Sequence, residues 1–190
     1  MTWAALLAVL ASPAGQAAPA APASAPARPE IAPVRVAVAP AIDGVLEDEA
    51  WKGPALPLTE WLTYDPLNGD KVAQTTEVRA VYDDGFLYFA FRCRDPEPDK
   101  VRSTLSRRDS MWNDDWVGLS LDSVGNGQSS YDLFVNPAGV QSDALTTPSA
   151  GENSAPDFVW DSAGRRTSEG DARQLLLPGR DNYFCRSRSP

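Results

Sequence analysis

The side chains that could do chemistry gather in Met111–Asp122, MWNDDWVGLSLD. Trp112 and Trp116 enclose the polar triplet Asn113, Asp114 and Asp115, and Arg107 and Arg108 stand just before it. An indole ring offers a large, rigid apolar face at low entropic cost, which suits the C–H face of a sugar ring. The carboxylates of Asp114 and Asp115 can accept hydrogen bonds from hydroxyls, or ligate calcium through oxygen. The Arg108 guanidinium can donate to a ligand in a fork geometry. Each residue also has an ordinary use. Trp112 can pack over strand ends, Asn-Asp-Asp is common turn chemistry, and the arginine pair can balance Asp109, Asp114 and Asp115 in solvent. On these residues alone both readings stand.

These side chains need a strand to hold them. From Trp116 onward the pattern alternates, with Val117, Leu119 and Leu121 on one side and Trp116, Gly118 and Ser120 on the other. Successive strand side chains point to opposite faces, so one face is dry and the other is free to work. Trp116 is expected to pack in the sandwich or beneath the site. A hairpin is the clearest signal upstream. Val78, Ala80 and Tyr82 alternate, Asp84-Gly85 turns, and Leu87, Phe89, Phe91 and Cys93 alternate again. Asp95-Pro96-Glu97-Pro98 ends that run. Downstream, Ser130–Asn136, Val140–Leu145 and Phe158–Ser162 read as further strands, with Thr146–Pro156 as a polar loop. Shorter strands are expected at Val34–Val38, Leu58–Leu62 and Val101–Leu105, and Leu46–Trp51 as a helical turn burying Trp51. Trp160 is expected in the core, and the place of Trp61 is open. Short strands broken by turn residues, with little helical periodicity, predict an all-β, antiparallel β-sandwich.

Composition removes several functions. The chain of 190 residues has no histidine, which excludes a Ser-His-Asp triad, a Cys-His pair and the usual catalytic zinc site. Any acid–base chemistry falls to carboxylates. A glycosidase would need two of them flanking a bond, with Glu77 and Asp114 or Asp115 as candidates, but no spacing marks a pair. The net charge of −9 disfavours nucleic acid and anionic membranes as partners. Trp3–Ala11 is a short apolar run and Gly15-Gln16-Ala17 a small-x-small site, so residues 1–18 read as a signal peptide and the protein as exported. Residues 19–33 form an Ala/Pro linker. Two cysteines, Cys93 and Cys185, make no disulfide framework.

Ile42-Asp43-Gly44, with Glu49-Ala50-Trp51 after four residues, resembles the opening of family 9 carbohydrate-binding modules. Thr76-Glu77-Val78, Tyr82-Asp83-Asp84 and Leu87-Tyr88 resemble their central hairpin. Asn113-Asp114-Asp115-x-Val117 with Leu121-Asp122 resembles a further strand. Phe134-Val135-Asn136-Pro137-x-Gly139 and Trp160-Asp161-Ser162-Ala163 are similar to one branch: the N-terminal domain of large bacterial surface proteins whose remaining chain is taken to form an outer-membrane barrel. The resemblance spans residues 34–170. It implies an exported jelly-roll-like β-sandwich, often with structural calcium, that holds an oligosaccharide or polysaccharide end between two tryptophans with help from a carboxylate, an arginine and an asparagine. By position, Trp112 matches the first of those tryptophans and Asn136 the asparagine. Gly118 stands where the glutamate is expected and Phe134 where the arginine is expected. The second tryptophan falls beyond the matched stretch.

The branch continues with an alternating strand, and here Asp171–Pro178 breaks the alternation. Residues 171–190 are therefore expected to lie outside the sandwich, which would lack its last strands, after a change of reading frame near Gly170. The functional expectation is a non-catalytic module that binds a glycan for a larger parent protein in carbohydrate catabolism. The candidate binding residues are Trp112, Asn113, Asp114, Asp115, Arg108 and Asn136. The competing expectations are an accessory domain of an outer-membrane barrel that binds no sugar, and a hydrolase of O-glycosyl bonds.

Overall fold

The computed structural model describes residues 31–58, 61–63 and 69–178, the last seven of these by backbone. The expected leader (1–18), most of the expected linker and residues 179–190, Cys185 among them, lie outside the described residues. Among the described residues nine strands form two sheets. β1 (Val34–Arg35), β2 (Thr75–Tyr82), β3 (Phe86–Arg94), β8 (Asp161–Thr167) and β9 (Gly170–Pro178) make one, in the order β1-β2-β3-β9-β8. β4 (Val117–Leu121), β5 (Ser130–Val135), β6 (Gln141–Thr147) and β7 (Gly151–Asn153) make the other, in chain order. All pairings are antiparallel except β1 with β2. The architecture is the all-β sandwich that the alternation predicts.

The β2–β3 hairpin forms where the alternation and Asp-Gly turn place it, with Tyr82 opposite Leu87. Asp83 closes the turn. Its Oδ1 accepts from the Gly85 and Phe86 N–H groups at 2.7 and 2.8 Å, and its Oδ2 from the Tyr88 hydroxyl at 2.6 Å. The inward faces supply the core. Val78, Ala80, Phe89 and Phe91 meet Leu133, Val135, Phe158 and Trp160, and Val117, Leu119 and Leu121 of β4 pack at its margin. Cys93 lies half-buried against the same cluster. The hairpin is buried on its other face too. Val81, Tyr88 and Ala90 hold Trp51, with Val36, Ile42 and Leu46 packed around them. Trp51 sits on a 3₁₀ turn, Glu49–Lys52, and is 3% exposed, as its sequence context predicts.

Three expected strands differ. Val101–Leu105 is irregular, because its N–H groups are satisfied by the side chains of Asp114 and Asp115 rather than by a ladder. Leu58–Leu62 is no strand among its described residues, and makes one isolated bridge, Leu62 to Lys71. The Phe158–Ser162 strand starts later, at Asp161, and β7 arises within the expected 146–156 loop. Residues 170–178 also behave otherwise than their pattern suggests. The alternation stops at Asp171, yet the backbone continues as β9 between β3 and β8. A short continuous apolar run such as Leu175-Leu176-Leu177 is compatible with a strand even without alternation.

Two glycines let the layers approach. Gly44 has φ +81°, and a Cβ there would lie 3.0 Å from the Arg165 Cβ and 3.2 Å from the Gly164 carbonyl carbon. This accounts for glycine in Ile42-Asp43-Gly44: the turn must be left-handed and must lie on β8. Gly164 itself would place a Cβ 2.7 Å from the carbonyl oxygens of both Asn136 and Pro137, so the β5–β6 turn seats directly on β8. Backbone atoms cannot step aside as a side chain can. Gly164→Ala should therefore cost about 1–3 kcal/mol by overpacking. Gly53→Ala, with nothing within 4 Å, should stay within about 0.5 kcal/mol of the parent. Urea unfolding of both variants checks this, and equal losses would refute the seating.

Candidate functional site

Phe134 on β5 stands directly opposite Gly118 on β4. The Phe134 ring occupies the space above that glycine: a Cβ at 118 would lie 2.6 and 2.8 Å from two of its ring carbons. The ring can lie there because 118 has no side chain. Trp116, on the same outward side of β4, meets Phe134 edge-on, with centroids 5.2 Å apart at 86°. Trp112 closes the triangle, 5.1 Å from Phe134 and 5.7 Å from Trp116, both edge-to-face. Such tilted contacts are the favoured arrangement of aromatic quadrupoles. Trp112 and Trp116 are each 45% exposed. Of the two places expected for Trp116, in the sandwich or beneath the site, the first is corrected. Its side of the strand faces outward, and its partners are two other surface rings.

A cleft of about 430 Å³ adjoins the triangle. Trp61, Thr76, Trp116, Ser120 and Phe134 line it, and Phe91 and Val117 are also in its lining. Trp61 is fixed there by its indole N–H, which donates to the Thr76 carbonyl oxygen at 3.0 Å. The cleft thus brings a third tryptophan, from a remote segment, to the edge of the Trp116–Phe134 surface. Sequence reasoning missed Trp116 and Phe134 as members of one surface, and left Trp61 open. The signal for Phe134 lay in the register, since residues opposite one another share a face.

The polar candidates are built into the scaffold. Asp114 Oδ2 accepts from the Thr104 N–H at 2.9 Å and from the Asn136 amide at 2.8 Å, and its Oδ1 accepts from the Thr104 hydroxyl at 2.9 Å. Burial opposes charge on Asp114, but the donors from Thr104 and Asn136 hold its carboxyl below the usual range. Asp115 Oδ2 accepts from the Arg102 N–H at 2.6 Å. The Asn113 carbonyl accepts from the Arg102 guanidinium at 3.5 Å, and the Asn113 residue itself is exposed beside Trp112. Asn136 is 0% exposed. Its amide donates to Thr104 and Asp114, and its Oδ1 accepts from Ala138 and Val140. Asn136 has no capacity left for a ligand. Together these bonds lace segment 102–104 to the turn that presents Trp112.

Arg108 is likewise turned inward. It donates to Asp143, whose side chain is fully buried, to Gln141 and to the Phe158 carbonyl, and it lies 5.9 Å from the Trp160 ring centre. Its expected role as a ligand fork is replaced by one tying β6 to the irregular segment 157–160. Burial pushes the Asp143 carboxyl up, against the Phe158 N–H and Arg108, which favour its charge. Of the carboxylates considered for hydrolysis, Glu77 and Asp114 are committed to separate networks, and Asp115 accepts from the Arg102 N–H. Glu77 is held by Arg94 and Arg79, and Arg94 above all keeps its carboxyl low. Asp114 is committed to Thr104 and Asn136. A general acid needs a raised carboxyl, and neither offers one. Among the described residues no group of three His, Cys, Asp or Glu side chains could hold a metal ion.

Two stability measurements follow. Arg108→Met should lose about 3–5 kcal/mol, since it strands the buried Asp143, and Arg108→Met with Asp143→Leu should lose less than the two single changes added together. Additive losses in urea unfolding would show that the pair is not coupled. For Asp114 the folded pKa lies below the unfolded one, so its stabilisation is present above about pH 4 and fades as pH falls through the folded value. The stability difference between the parent and Asp114→Asn should therefore shrink between about pH 5 and about pH 2. A difference constant over that window would contradict the network.

The aromatic triangle, its flanking cleft and the hydrogen-bonded turn all fall within one stretch of recognisable sequence. Residues 42–162 match the family described as carbohydrate family 9 binding domain-like. No curated protein matches the chain, and no solved structure does. The match covers more than half of the chain and spans both sheets from the Ile42-Asp43-Gly44 turn to the start of β8, so the chain belongs to the carbohydrate family 9 binding domain-like family.

Proposed function

We propose that this domain binds a glycan on the face made by Trp112, Trp116 and Phe134, with the Trp61 cleft as an adjoining subsite. The observation that carries the reading is the exposure of two large rings in one packed cluster. Tryptophans at 45% exposure that are held by ring contacts form a rigid apolar platform. A pyranose C–H face can stack there at little entropic cost. The Ser120 hydroxyl in the cleft has no partner among the described residues, so it is available to sugar hydroxyls. The family's membership supports carbohydrate as the ligand class.

The module is non-catalytic and exported, and it serves a larger parent protein in carbohydrate catabolism by raising the local concentration of substrate. The engagement of Glu77 and Asp114 in separate networks supports the non-catalytic part. One observation favours a second reading. The polar groups expected beside the platform are replaced by Gly118 and Phe134, and Asn136 is buried, as befits an accessory domain of an outer-membrane barrel that binds no sugar.

Retention on insoluble polysaccharides (cellulose, xylan and starch) separates the two. The glycan reading predicts retention on at least one, weakened about tenfold or more by Trp112→Ala and by Trp116→Ala. No retention on any of them, together with co-fractionation of the full-length parent with outer membrane, favours the second reading and overturns the first.

A further inference from the structure

The outer face of the first sheet ends in a cleft of about 650 Å³ lined by four arginines, Arg92, Arg94, Arg165 and Arg166. Three carboxylates, Glu47, Glu169 and Asp171, share the lining, which leaves one positive charge in excess. This inverts the sign of the protein, whose net charge is −9. The pairing register runs Glu77, Arg92, Ala172, Arg165 across four adjacent strands. Arg92 and Arg165 therefore lie two strands apart, about 10 Å, on one face of the sheet. Their neighbours are engaged: Arg94 holds Glu77 and Glu169, and Arg166 donates to the Pro98 carbonyl at 3.0 Å. The half-buried Arg92 side chain makes no hydrogen bond or ion pair among the described residues, and the exposed Arg165 side chain makes none either. A guanidinium carries five donors in a planar fork, so both side chains can receive an anion without giving up a protein partner. The Gly44 turn, seated on Gly164 and Arg165, walls the cleft on the other side.

We propose that this cleft binds a carboxylated sugar, with Arg92 and Arg165 as the forks that receive its carboxylate. The single excess charge matches a monoanion, and the volume falls within the range of small-ligand sites. The choice of a sugar acid rests on the glycan reading above, while the anion site itself rests on the arginines. The cleft belongs to the first sheet and the aromatic platform to the second, so the two sites are separable by substitution.

Calorimetric titration of the full chain with D-glucuronate, D-glucose, acetate and inorganic phosphate tests the proposal. Glucuronate should bind, and about 0.5 M NaCl should weaken it by screening. Arg92→Gln and Arg165→Gln should each weaken it about tenfold or more, and neither should change whatever affinity the protein has for D-glucose, which lacks the carboxylate. Arg165 is exposed, so its variant reports even where Arg92→Gln fails to fold. Acetate or phosphate binding as tightly as glucuronate overturns the sugar-acid assignment. Glucuronate binding that neither arginine substitution weakens, or no binding of any probe, overturns the site. Arginine-dependent glucuronate binding in a protein that no neutral polysaccharide retains supports this site while the platform reading fails.

Discussion

The contact on which the surface depends is the Phe134 ring over Gly118. A Cβ at 118 would press into that ring at 2.6 Å, so position 118 has room for glycine as long as 134 is phenylalanine in this orientation. The two positions are one choice. With glycine and phenylalanine there, a third ring joins the surface, and it meets both Trp112 and Trp116 edge-to-face. The surface there is apolar, built from three rings in contact. Such a platform discriminates by shape and stacking more than by hydrogen bonding.

The platform would be of little use if its turn were loose. Asn136 fixes it from below with both amide donors and both acceptor positions of its carbonyl oxygen. Asp114 passes that order to Thr104, and Asp115 to Arg102. These carboxylates are therefore positioning residues for Trp112. A second polar cluster, Arg108 with Asp143, Gln141 and the Phe158 carbonyl, fastens β6 to the segment carrying Phe158 and Trp160. In both places polar side chains far apart in sequence are satisfied by one another, as buried groups must be.

Local features were legible in the sequence, and remote ones were not. The β2–β3 hairpin follows from two alternating runs about an Asp-Gly turn, and Trp51 from its place as the large apolar residue of a short charged turn. The dry side of β4 was legible for the same reason. Trp116 was misplaced because alternation tells which side a residue takes, while what covers that side depends on other segments. The facing of Gly118 and Phe134 was hidden by the loop of eight residues between their strands, whose length sets no register. Arg108 looked like a ligand fork because Asp143 lies 35 positions away. β9 was obscured by a run without alternation; the short hairpin with β8 sets one side of its slot, and long-range pairing with β3 sets the other. The family resemblance was carried by turns and core residues, which is why it identified the fold better than the site.

The claim that the outward face of β4 and β5 is the glycan platform is tested most directly by the indole N–H resonances of the protein's six tryptophans during titration with a retained oligosaccharide. The account predicts shifts at Trp112 and Trp116, with a smaller one at Trp61, while buried Trp51 and Trp160 stay in place. Shifts confined to other tryptophans, or saturating sugar with no shift at Trp112 and Trp116, would contradict it.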